Sequence, residues 1–157
     1  MYDNILIPTD GSETAENAVD QAVDVASKYG ATVHALYVVD VDATSYSLGS
    51  EQVDRIRQGS IDEMTEVKAD ADEATGYVHD RAAEHGVEVE EHITAGEPAR
   101  AIRSFVEDND IDLVVMGSHG RSGLKRVILG SVTEKVLRRT RLPVLVVDVH
   151  GETEIEE

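Results

Sequence analysis

The chain has no cysteine, no tryptophan, a single phenylalanine and three prolines. Without cysteine there can be no disulfide, thiolate zinc site or cysteine nucleophile, and the absence fits a reducing compartment. Stability must then come from packing. With five tyrosines and one phenylalanine as its aromatics, the core has to be built from Val, Ile, Leu and Ala, which suit helices laid on a sheet. No apolar run approaches the roughly 20 residues of a membrane span, and Met1-Tyr2-Asp3-Asn4 has no basic segment leading into a signal-peptide core. These absences predict a soluble cytoplasmic protein with no membrane partner. At 157 residues there is room for one domain.

Positive charge is also scarce: 14 basic residues face 32 acidic ones, for a net charge of −18. A phosphate backbone needs a basic footprint, so nucleic acid is not an expected partner. Self-repulsion on this scale is costly in dilute buffer and harmless at roughly 1 M salt, where the Debye length is about 3 Å. The composition therefore predicts a salty, halophilic setting. Residues 121–141 nevertheless carry a net charge of +6, leaving −24 on the remainder. Arg138, Arg139 and Arg141 complement a helix C-terminus, whereas Arg121, Lys125 and Arg126 precede that helix and are not explained by it.

Along the chain, Ile5-Leu6-Ile7 reads as a buried strand running into the turn Pro8-Thr9-Asp10-Gly11. A helix follows, with Ser12 as its N-cap, apolar residues at spacings of three and four from Ala15 to Tyr29, and Gly30 as its stop. Residues 31–39 form a second strand, and residues 40–49 a polar connection of unreadable shape. From Val53 to Ala82 the pattern is helical, broken near Gly59, with Gly59 and Gly76 each weakening it by roughly 1 kcal/mol. Residues 87–93 alternate as an edge strand does. Pro98 opens a short helix with Ala99, Ile102, Phe105 and Val106 on its buried stripe. Residues 111–116 are a central strand, 131–140 a helix and 142–149 a last strand. The predicted domain covers residues 1–149, and the acidic tail 150–157 is expected to be disordered.

This βαβαβαβαβ order predicts a single-domain α/β fold, a five-stranded parallel sheet with helices on both faces, Rossmann-like in the order 3-2-1-4-5. Ligands of such sheets bind beyond the strand C-termini. The turn after Met116 is the most informative of these, with Gly117, Gly120, Gly123 and Gly130 among fifteen residues. Glycine lets backbone amides converge on an anion, and Gly130-Ser131 open a helix whose N-terminus favours phosphate. The sequence has no GxxxxGK[ST] loop, no GxGxxG after the first strand and no GxSxG elbow. Histidines 34, 79, 85, 92, 119 and 150 fall at no metal-ligand spacing, so no protein-only metal site is predicted.

The run Gly117, two residues, Gly120, nine residues, Gly130-Ser131 resembles the nucleotide loop of ATP-binding universal stress proteins. The opening residues 5–12, the Gly96-Glu97-Pro98-Ala99 helix start, the strand ending Met116-Gly117 and the closing Pro143-Val144-Leu145-Val146-Val147 are similar to that family too. The resemblance implies ATP held by the loop from Met116 to Thr133, with Mg2+ or Mn2+ bound alongside it. Pro8, Thr9 and Asp10 would flank base and ribose, with Asp10 on a ribose hydroxyl or the ion, and the backbone of Val38 or Val39 would meet the adenine edge. Gly117, Gly120, Gly130, Ser131, Val132 and Thr133 would surround the phosphates, and Met116, His119 and Arg121 would belong to the same cofactor-binding set. It also implies a homodimer through the last strand, Val144 to Val149. Read without the resemblance, Asp10 could be a turn cap and His119 a loop residue that transfers no proton. Besides a nucleotide-dependent stress-response module, a slow ATPase and a nucleotide-free, chaperone-like or structural dimer remain as alternatives.

Overall fold

The computed structural model describes residues 1–40, 65–118 and 130–148. The elements run β1 (Asn4–Pro8), α1 (Glu13–Tyr29), β2 (Thr32–Asp40), α2 (Thr65–Ala83), β3 (Val89–Gly96), α3 (Pro98–Asp108), β4 (Leu113–Gly117), α4 (Ser131–Arg139) and β5 (Val144–Val147). The strands form one parallel sheet in the order β3-β2-β1-β4-β5, as the element order predicts.

Period-two alternation sorts the strand residues onto two cores. Ile5, Ile7, Val33, Ala35, Leu113 and Val115 face the small residues of α1 and α2, among them Ala18, Ala22, Ala26 and Ala82. Leu6, Leu36, Val114 and Met116 face α3 and α4 through Ala99, Ile102, Val106 and Val136. Ile5, Leu6 and Ile7 have no exposed surface, as a central strand covered on both sides requires.

The helix ends follow from local chemistry. Ser12 Oγ accepts from the Ala15 amide at 3.2 Å, and Gly30 closes α1 at φ 69°, a left-handed conformation that glycine adopts without strain. The capping of α3 is less expected. Gly96 leaves β3 at φ 146°, and Glu97 then places its carboxylate on the Arg100 amide at 2.9 Å ahead of Pro98. Boundaries shift slightly from the sequence reading. β3 starts two residues later than expected and runs on to Gly96, because it pairs with β2 as far as Asp40. β5 is confined to Val144–Val147, the stretch that pairs with β4. The helix expected from Val53 is described from Thr65. Its predicted first part, with Gly59, lies outside the described residues, as does the tail.

Candidate functional site at the strand C-termini

The parallel registers bring three chain ends to one edge of the sheet. Pro8 pairs with Leu36, and Leu6 with Val114. Counting on along the chains levels Asp10 with Val38 on one side and with Ser118 on the other. The turn after β1 is tightly specified. The Thr9 amide extends the ladder by donating to the Leu36 carbonyl at 2.9 Å, Thr9 Oγ1 accepts from the Gly11 amide at 3.2 Å, and Asp10 Oδ1 accepts from the Ser12 amide at 2.9 Å. Asp10 therefore shapes the turn that launches α1, the plainer of its two expected roles. Thr9 is buried, and Val38 is half-buried opposite Thr94, while Val39 points into the interior.

The root of the glycine segment is built around Ser118. Its amide donates to the Val147 carbonyl at 2.9 Å, its carbonyl accepts from the Gly130 amide at 2.6 Å, and its hydroxyl donates to Asp148 Oδ1 at 2.9 Å. Residue 118 and residue 130 are thus clasped together, and the stretch between them leaves and returns at one point. Thr133 completes the joint. Buried on the first turn of α4, it donates through Oγ1 to the Gly117 carbonyl at 2.8 Å and ties the helix start to the end of β4. The N-cap of α4 is Gly130, which has no side chain to occupy the capping position. α1 and α3, in contrast, are capped by their own Ser12 and Glu97.

Several expected site residues also have roles within the fold. Met116 is buried in the core under α3 and α4. Gly117 is buried, and a Cβ there would lie 2.7 Å from Thr14 Cγ2, so its smallness serves the contact between β4 and α1. The Thr133 hydroxyl is committed to Gly117. Ser131 is exposed, and Val132 is half-buried against the α3 side of the sheet. His119, Gly120 and Arg121 lie outside the described residues, as does Val149. Sequence reading did not single out Ser118 or Asp148. Ser118 sits inside the glycine run and could have been noticed, whereas nothing local marks Asp148.

A surface concavity of about 340 Å3 beside β3 and α3, walled by Thr94, Gly96, Glu97, Arg100 and Phe105 among others, shares no residue with this group. The histidines give a different result from their linear spacing. His34 and His92 come within 3.4 Å of each other, with Glu90 alongside. Burial pushes the His34 imidazole below its ordinary value, Glu90 draws it back up, and His92 pushes it down again.

Comparison with known proteins agrees with this architecture. Residues 1–148 match the Universal stress protein family. Universal stress protein MJ0531 of Methanocaldococcus jannaschii is 39% identical over 148 residues, covering 94% of this chain and 82% of that protein. Universal stress protein MJ0577 of the same organism is 34% identical, covering 94% and 95%. The solved structure of MJ0577 superposes with a TM-score of 0.75 at 31% identity, covering 97% of this chain and 99% of the other. A universal stress protein in complex with cAMP superposes with a TM-score of 0.63 at 26% identity, covering 95% and 98%. The five-stranded sheet in the order 3-2-1-4-5, the relatives aligned along nearly its full length and the family match over residues 1–148 lead to one conclusion: the chain belongs to the Universal stress protein family.

Proposed function

We propose that this chain binds an adenine nucleotide, ATP, at the shared C-terminal edge of β1, β2 and β4, and that the nucleotide-loaded protein acts as a dimeric stress-response module. The observation that carries the reading is the clasp between the Ser118 carbonyl and the Gly130 amide. It anchors a glycine-rich segment at the uncapped start of α4, where the helix dipole favours a phosphate. Gly117, Gly120 and Gly130-Ser131 have the family's nucleotide-loop spacing, and a relative with the same fold is known in complex with cAMP. Pro8, Thr9, Asp10 and the Val38 backbone would contact base and ribose. His119, Gly120 and Arg121 with the amides of Ser131, Val132 and Thr133 would contact the phosphates, together with Mg2+ or Mn2+. The Thr133 hydroxyl and the Gly117 carbonyl support this arrangement from beneath. If the protein works in molar KCl, the charges of Arg121, Lys125 and Arg126 are screened, and close amide hydrogen bonds supply most of the affinity. β5 ends the sheet with Leu145 partly exposed, which suits the proposed pairing of two copies through Val144 to Val149.

Calorimetry with ATP and Mg2+ in molar KCl tests the reading. Saturable one-to-one binding is expected, and Gly120→Val, whose side chain would take up phosphate space, should abolish it while leaving the urea unfolding midpoint in place. Undiminished affinity in that variant would defeat the assignment. Light scattering with and without nucleotide tests the dimer, and a steady release of ADP over hours would convert the binding module into a slow ATPase.

A further inference from the structure

We propose that His34, Glu90 and His92 form a site for one divalent transition-metal ion, with zinc the ion that suits them, near the N-terminal ends of β2 and β3. The site lies on the α3 face, at the end of the strands away from the nucleotide edge. It does not depend on the reading given for that edge.

Strand register creates the cluster. Glu90 and His92 are two residues apart on β3 and so project from the same face, and His34 on β2 is the in-register partner of Glu90. His34 Nδ1 lies 3.4 Å from His92 Nε2 and 3.7 Å from Glu90 Oε1, and His92 Nε2 is 3.7 Å from the same oxygen. A point equidistant from these three atoms is about 2.1 Å from each, the bond length that zinc makes to imidazole nitrogen and carboxylate oxygen. Two histidines and one glutamate are a common three-ligand set for zinc, leaving a fourth position for water. Magnesium and calcium, which favour all-oxygen shells, are poorly matched by two imidazoles.

The surroundings orient these donors. The other nitrogen of His34, Nε2, is 3.1 Å from Asn4 Oδ1, and the Asn4 amide nitrogen is turned toward the Asp110 carbonyl at 3.5 Å. With Asn4 so placed, Nε2 of His34 carries the proton and Nδ1 presents its lone pair to the cluster, the kind of outer hydrogen bond that metal-bound histidines use. Phe105 of α3 packs edge-on against both rings, with centroids 4.7 Å from His92 and 5.9 Å from His34, and holds them side by side. The cluster is open on one flank. His34 is buried, but the side chains of His92 and Glu90 are 30% and 61% exposed, so an ion can enter and retain water. In the metal-free chain a His92 Nε2–H to His34 Nδ1 hydrogen bond satisfies the same atoms, and on metal binding His92 would take the Nδ1–H tautomer, the Nε2 proton passing to solvent as Nδ1 gains one, so that Nε2 offers its lone pair to the ion.

The test is a titration of the untagged full chain, stripped with EDTA and returned to chelator-free buffer in molar KCl so that the many surface carboxylates are screened. Co2+ should give a ligand-field absorption band that saturates at one equivalent. Zn2+ should bleach it, a large excess of Mg2+ should not, and Zn2+ should raise the thermal midpoint of the wild-type protein. His92→Ala should still unfold cooperatively without metal, at a midpoint lowered by the lost contacts with His34 and Phe105, and should weaken Co2+ binding by about a hundredfold or more, beyond the 10–100-fold typical of losing an outer-shell partner. Glu90→Gln should weaken it less. The proposal is overturned if wild type shows no saturable band. It is equally overturned if His92→Ala binds as wild type does, since the ion would then be adventitious.

Discussion

At the residue scale, a Cβ on Gly117 would meet the Thr14 carbonyl carbon at 3.1 Å and the Ala15 nitrogen at 3.2 Å, in addition to Thr14 Cγ2. Two of those atoms belong to the backbone of α1, so the helix itself would have to move. Gly117→Ala should therefore cost about 1–3 kcal/mol, the usual penalty for overpacking, read as a lower urea midpoint. Thr14→Ser in the same chain should restore part of it by removing Cγ2, and an unchanged midpoint in the single variant would refute the packing account. Glu97 offers a second residue-level test. Burial alone would raise its pKa, but the Arg100 amide, Lys135 of α4 at 3.6 Å and the Ala99 amide together hold it below the ordinary value of 4.5. A carboxylate depressed in the folded state adds stability that is fully present above 4.5 and is lost as the pH falls through the lower folded value. Glu97→Ala should thus cost about 1 kcal/mol at neutral pH, as loss of a cap does. Urea midpoints of variant and parent should converge in acid.

At the scale of the element, Gly76 sits in the interior of α2, and a Cβ added there meets nothing within 4 Å. Gly76→Ala should stabilise the protein by about 0.5–1 kcal/mol through helix propensity alone, and a lower thermal midpoint would show an unseen constraint on that helix. The elements legible in the sequence are those with local punctuation. Ser12, Gly30 and Pro98 mark helix boundaries, and Ile5-Leu6-Ile7 marks a strand buried on both faces. Glu97 was not recognised as the cap of α3 because glutamate is not a favoured capping residue. The packing roles of Gly117 and Thr133 depend on which helix lies under β4 and where α4 begins, whereas the glycine pattern at Gly117 and the family resemblance at Thr133 point to a ligand. His34 and His92 are 58 residues apart, and only the β2–β3 register makes them neighbours. Cross-strand chemistry of this kind has no signature in linear spacing.

At the scale of the whole molecule, a charge of −18 sits on a scaffold whose ion pairs are mostly exposed, such as Lys28–Asp24 and Lys68–Asp72 on single helices. Pairs of that kind contribute little, so screening should relieve more repulsion than it removes attraction. The thermal midpoint should rise as KCl goes from roughly 0.01 M, with a Debye length of about 30 Å, to 1 M. A midpoint that falls instead would show that attraction dominates. Among the described residues, no helix is long and apolar enough to cross a membrane. The bond from the Gly130 amide to the Ser118 carbonyl also bears on how such a scaffold can change. The sheet closes the circuit at that bond whatever chain is strung between its ends, and doubling the length of a flexible insert costs only about 0.6 kcal/mol. Residues 119–129 can therefore be exchanged like a cassette, lengthened or rewritten, while the two cores beneath stay as they are.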